Sequence, residues 1–354
     1  MLFDCSDVNE SHHGGRLVSP AKKSAQSGTL KRKAIKLDQQ AIVFLLFVLV
    51  FIVFTIALPG FSSLGNLVAM LRSISVLGIL GLGMAIVVIG RGIDLSMVAT
   101  MAVPTALIMT LAGSGVGLWP ALLIGLLFAA LVGVLNGIFV AYAEIPALFV
   151  TLAMGLGLAG LGQVGILKSD MVPWPDQMNA LLWLGGADIA GIPSSIVIVT
   201  LVAVGVWLFL KHTKVGLFIY AIGDNPNGAR TTGMPVRPIM VFQYVLAALI
   251  AVLAGLVMAS SNSLMDTRIY NLSLIYDIIL VVVLGGVGLS GGRGGVLSVV
   301  VGTLLVGTII NGMTILNLTL DVQNLFKGIV LLIAIALDSI LNPRNEETAQ
   351  QGDI

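Results

Sequence analysis

Residues 41–58 read AIVFLLFVLVFIVFTIAL, eighteen positions without a charge, a proline or a glycine. The apolar side chains are continuous instead of alternating, which suits a helix in lipid and argues against a strand of a membrane barrel. Outward from it, runs of the same kind recur near 70–90, 95–112, 118–142, 146–166, 194–210, 239–260, 275–290, 296–313 and 323–340. The expected fold is therefore all-α, a polytopic transmembrane helical bundle of about ten spans. Composition agrees: the chain is 57% hydrophobic and 10% charged, against roughly 25% charged residues in a soluble domain. Its 42 glycines point to helices that approach one another through small residues.

The sequence divides into a polar tail over 1–40, a transmembrane domain over 41–341 and a short C-terminal tail over 342–354. The first tail carries Lys22, Lys23, Lys31, Arg32, Lys33 and Lys36 and lacks the apolar core and cleavage site of a signal peptide. With both termini in the cytoplasm, 14 of the 18 Lys and Arg residues fall inside, and Arg72, Lys168, Arg268 and Lys327 remain outside. That bias follows the positive-inside rule. A net charge of +1 offers no basic surface for nucleic acid. Cys5 has no partner cysteine, and His12, His13 and His212 are not at metal-ligand spacing, so no metal and no cofactor is expected.

Two connections are long enough to form surfaces. The outer one, about Leu167 to Pro193, holds Asp170, Asp176, Asp188 and Trp174. The inner one, Lys211 to Pro238, pairs an amphipathic piece with Gly223-Asp224-Asn225-Pro226, a turn that also begins a short helix. Such a helix, parallel to the membrane, is a docking element for another protein. Enzymatic chemistry is missing: GxxxxGK[ST], HExxH and GxSxG do not occur. The Gly-rich run from Gly285 to Gly295 reads as a break between two membrane helices, since it lacks the strand context of a phosphate cradle.

Ionisable groups inside a bilayer are expensive, so each is a functional candidate. Asp94, in Arg91-Gly92-Ile93-Asp94-Leu95-Ser96, reads as a helix cap, as the lining of a cavity at an interrupted helix, or as the partner of Arg91. Asn136, between Gly133 and Gly137, serves either an interhelix hydrogen bond or a ligand contact, and Asn311 and Gln163 share that ambiguity. Asp277 either faces a central pathway or caps its helix. Gly155, Gly157, Gly160 and Gly162 read as a packing seam.

Four stretches together resemble the permeases of ribose-type ABC importers, the monosaccharide branch of bacterial solute uptake. They are Gly92-Ile93-Asp94-Leu95-Ser96; Asn136-Gly137 with Ile145-Pro146 and Phe149-Val150-Thr151-Leu152; Tyr220-Ala221-Ile222-Gly223-Asp224-Asn225-Pro226 with Ala229-Arg230 and Gly233; and Val283-Leu284-Gly285-Gly286 through Gly291-Gly292. The likeness covers about residues 60 to 340. It implies a multi-pass permease of the bacterial cytoplasmic (inner) membrane. The implied partners are a second copy or paralogue, a cytoplasmic ABC ATPase subunit and an extracytoplasmic solute-binding protein. The solute would be a monosaccharide or a related small polar molecule. Gly223, Asp224, Asn225, Pro226, Ala229, Arg230 and Gly233 would form the ATPase-coupling loop, and Asp94, Ser96, Asn136 and Asp277 the polar lining of the pathway. The chain departs from the family in having Arg91-Gly92 where Gly-Gly is common, Ile275-Tyr276-Asp277 where a Glu is common, and Ala159-Gly160 in place of Arg-Gly. The rival reading is a secondary transporter driven by an ion gradient, with Asp94 and Asp277 as coupling carboxylates.

Overall fold

The structure, a computed structural model, describes residues 39–341 apart from 167–169, 190 and 272. The tails expected over 1–40 and 342–354 lie outside it, save for Gln39 and Gln40, and so does Lys168.

Helices stand at all ten expected places. They are α1 (Gln39–Ala57), α2 (Leu64–Ile89), α3 (Met97–Leu111), α4 (Leu118–Ala141) and α5 (Ala147–Leu161), then, after the short α6 (Trp183–Gly186), α7 (Ser194–His212). Two short helices, α8 (Lys214–Asp224) and α9 (Pro226–Thr231), precede α10 (Val236–Asn262), α11 (Leu274–Leu284), α12 (Val296–Ile315) and α13 (Leu320–Leu341). Among the described residues, eight helices are long and apolar enough to cross a membrane, which supports the all-α bundle without fixing the number of spans at ten. The 11 residues of α11 span only about 16 Å at 1.5 Å per residue.

Among the described residues, sheet is confined to two pairs at connections. β1 (Met171–Pro173) pairs antiparallel with β4 (Leu264–Asp266), and β2 (Asp188–Ile189) pairs with β3 (Ile192–Pro193). The first pair ties the outer connection to the end of α10, so that connection has a structure of its own.

Helix α2 is the axis of the bundle. It starts where the Ser63 hydroxyl accepts the Asn66 N–H at 3.3 Å, a cap that its sequence context favours. Every residue from Leu77 to Ile89 is buried, and α7, α8, α10, α11 and α12 all pack on it. Glycine decides how close the helices come. In α4, a Cβ on Gly133 would lie 2.6 Å from the Val245 Cα, and one on Gly137 would lie 2.5 Å from the Val241 Cα, so α4 and α10 touch backbone to backbone. Polar side chains add a few bonds: Asn66 on α2 and Asn311 on α12 exchange amide hydrogen bonds at 2.9 and 3.1 Å, which gives Asn311 an interhelix role.

The expected glycine seam on α5 is only half a seam. Gly155 meets Tyr270 and the Ser96 backbone, and Gly162 meets Val103, but Gly157 and Gly160 have nothing within 4 Å. The reason is helical period: 155 and 162 are seven apart on one face, and 157 and 160 look the other way. Gln163 lies on that exposed side.

Candidate functional site

The chain between α2 and α3 leaves helical geometry for seven residues and turns back into the protein. Arg91 has φ +67°, the left-handed conformation that glycine accepts without steric penalty. Beyond it, Asp94 is 1% exposed and Ser96 is fully buried. The Asp94 Oδ1 accepts both the Ser96 N–H at 2.9 Å and the Ser96 hydroxyl at 2.5 Å. This is a turn closed by the carboxylate three residues ahead of α3. It resolves the cap reading in favour of the turn, since the capping position itself is Ser96.

Ser96 in turn accepts the Asn136 amide N–H from α4 at 2.8 Å. From α5, the Thr151 hydroxyl oxygen accepts the Leu95 N–H at 3.0 Å, and the hydroxyl lies 2.8 Å from the Ala147 carbonyl oxygen. Three of the four proposed lining residues, Asp94, Ser96 and Asn136, therefore form one buried network that joins α3, α4 and α5. Asn136 Oδ1 and both amide atoms of Gln243 on α10 are buried without a hydrogen-bond partner among the described residues. Such groups are rare in packed interiors and mark places where polar contacts change or where a ligand arrives.

Asp277 is elsewhere. It sits in the first turn of α11, and Lys327 Nζ of α13 lies 2.9 Å from each of its carboxylate oxygens. Both side chains are about nine-tenths buried. Lys327, counted among the outer cations in the sequence, is thus one half of a buried ion pair. Its signal was present in the sequence, a lysine inside the run 323–340.

At the α8–α9 end, the sequence signals act as written. Thr213 caps α8 by accepting the Gly216 N–H at 3.0 Å, and Asn225 caps α9 by accepting the Gly228 N–H at 2.8 Å, with Pro226 at the first helical position. Gly216, Ile219, Ile222, Gly223 and Ala229 are buried, whereas Leu217, Asp224, Asn225, Arg230 and Gly233 are exposed. Tyr220 donates its hydroxyl to the Gly294 carbonyl at 2.8 Å, and burial pushes its phenol pKa up, which keeps it a neutral donor. Beside α9, a groove of about 410 Å³ is lined by Tyr142, Arg230, Met234, Arg237 and the neighbours Pro235, Val236 and Pro238. Among the described residues no group of three or more His, Cys, Asp or Glu is placed to hold a metal.

The turn geometry has a direct consequence. Asp94→Asn retains the accepting oxygen and is expected to keep the fold, whereas Asp94→Ala orphans two buried donors at about 1–3 kcal/mol each. Thermal unfolding of the two purified variants checks this; equal losses would mean that the negative charge, not the acceptor, holds the turn.

A membrane-spanning helical bundle with buried polar groups at a broken helix and an amphipathic helix pair at one end has the architecture of a transport permease. The chain belongs to the family described as branched-chain amino acid transport system / permease component, which matches residues 66–335. It is similar to the ribose import permease protein RbsC of Escherichia coli K12, 32% identical over 87% of this chain and 95% of that protein. Similar too are RbsC of Bacillus subtilis 168, 34% identical over 83% and 90% of the two chains, and the galactofuranose transporter permease protein YtfT of Escherichia coli K12, 31% identical over 78% and 80%. No solved structure matches the chain. The family is one of transport permeases, not of enzymes.

Proposed function

We propose that this chain is the membrane subunit of an ATP-driven importer that moves a monosaccharide or a related small polar solute across the bacterial cytoplasmic membrane. It works as one of two permeases, with a cytoplasmic ATPase subunit docked on each and an extracytoplasmic binding protein delivering solute. The observation that carries the reading is the pair α8–α9, whose buried face fastens it to the bundle while Leu217, Asp224, Asn225 and Arg230 are exposed. The groove at Arg230 and Arg237, the latter paired with Glu144 at 2.9 Å, extends that face. The relatives' solutes, ribose and galactofuranose, support a sugar as cargo. In this orientation α8 and α9 are cytoplasmic and so are both termini, in keeping with the distribution of Lys and Arg.

Solute reaches the pathway near the break, where Asp94, Ser96 and Asn136 supply hydrogen-bonding groups when the two permeases alternate between openings. Asp277, held by Lys327, fastens α13 to the bundle. That pairing also weakens the ion-gradient alternative, which needs a carboxylate free to exchange a cation.

The test is ATP hydrolysis in proteoliposomes that contain this chain, its ATPase and its binding protein, screened over pentoses, hexoses, polyols and nucleosides. Stimulation by one sugar class that needs all three components supports the reading. Uptake by this chain alone under a proton gradient, with no effect of ATP, would overturn it. Arg230→Glu is expected to reduce co-purification of the ATPase at least tenfold; unchanged co-purification would remove Arg230 from the docking surface.

A further inference from the structure

Where α8 ends, three stretches of main chain meet with no side chains between them. Gly223 is buried, and a Cβ there would fall on the Ile89 carbonyl oxygen and lie 2.5 Å from the Gly292 nitrogen. Gly292, at φ +70°, donates its N–H to that same Ile89 carbonyl at 2.8 Å, and a Cβ on it would lie 2.8 Å from the Asp224 Cα. Gly291, at φ +84°, leaves 2.7 Å between its Cβ position and the Gly223 carbonyl oxygen and 3.0 Å to the Arg91 Cβ. The Tyr220–Gly294 hydrogen bond closes the group from the side.

The same segment continues to the buried network. Gly90 lies directly under the Gln243 amide, whose buried nitrogen and oxygen are unpartnered, and a Cβ on Gly92 would stand 2.6 Å from the Tyr244 hydroxyl. Two residues further on is Asp94. The distance along the chain from the Ile89 carbonyl to the Asp94 carboxylate is five residues, all of them in non-helical or end-of-helix geometry.

We infer that this glycine junction, with Gly291 and Gly292 as positioning residues, carries displacements of the α8–α9 loop to the Asp94–Ser96–Asn136 network. The physical reason is the kind of contact. Side chains that touch can change rotamer and absorb a shift, but packed backbones joined by a hydrogen bond must move together. Helix α8, the end of α2 at Ile89 and the Gly285–Gly295 break are therefore one mechanical unit, and residues 90–93 join it to the network. The unpartnered Gln243 amide packs against Gly90 on that connection. The inference rests on the proposal that α8–α9 docks an ATPase.

The test uses the full complex in proteoliposomes. If the ATPase does not co-purify with the unaltered chain, the docking proposal fails before the junction is tested. With docking established, Gly292→Ala is expected to lower solute transported per ATP hydrolysed at least tenfold, with ATPase co-purification near that of the unaltered complex. Full coupling in a folded Gly292→Ala complex would overturn the inference. Should that variant fail to fold, hydrogen exchange of the unaltered complex decides. Peptides covering 86–95 and 286–295 are expected to change protection together with 214–226 on adding ATP. A change confined to 214–226 would sink the junction as a transmitting element.

Discussion

Lys327→Ala is expected to destabilise the protein by about 3–5 kcal/mol, because it leaves the Asp277 carboxylate buried without its counter-ion. The pair is short and about nine-tenths buried, and the Ser273 hydroxyl oxygen, 3.5 Å from Nζ, adds little. It also has a position that magnifies its effect. Among the described elements, α13 packs chiefly on α11, so the pair is the polar fastening of an otherwise apolar contact. Replacing both partners by apolar residues, Asp277→Leu with Lys327→Met, is expected to recover stability to within about 1 kcal/mol of the original. Thermal unfolding of the single and double variants in lipid nanodiscs measures the difference. Equal stability of the single and double variants would mean that Asp277 finds water or another donor.

The second large effect is steric. Gly137→Leu places carbon against the Val241 Cα, and Gly133→Leu against the Val245 Cα and the Tyr244 carbonyl, the latter at 2.8 Å. Neither neighbour is a side chain that can rotate away, so α4 and α10 must separate along the most extensive helix contact in the protein. A loss of about 3 kcal/mol or more is expected, and the Asn136–Ser96 hydrogen bond, one residue from Gly137, breaks with it. Gly157→Ala is the contrasting control. With open space around it, it is expected to be neutral or to gain up to about 1 kcal/mol from helix propensity in the isolated chain. Folded yield and midpoint of unfolding, compared across the three variants, check both expectations. A tolerated Gly137→Leu would show that the seam can open without unfolding.

Much of this protein is legible in its sequence because a bilayer imposes a coarse rule. A run such as 41–58 has to be a helix in lipid, since no other single segment satisfies its own backbone there. Turn chemistry was equally local: Thr213, Asn225 and Pro226 start α8 and α9 through bonds that span three residues. Asp94 and Ser96 were found as polar residues between apolar runs, and their mutual bonds span only two positions.

Contacts between distant residues were not legible in this way. The sequence marked Asp277 and contained Lys327, 50 positions later, but nothing local links them. It placed Asn136 in an apolar helix and left open whether it met a helix or a ligand; the fold gave it Ser96, 40 residues away. Gln243, inside an expected span, drew no notice, because its significance is the missing partner and the Gly90 backbone beneath it. Glycines show the division most clearly. Sequence determined that there are 42 of them and that helices could come close. Only the tertiary structure decided which of them meet a backbone, as Gly133, Gly137 and Gly223 do, and which face open space, as Gly157 and Gly160 do. Spans follow from each segment's own free energy in lipid, whereas partners follow from the packing of all segments at once.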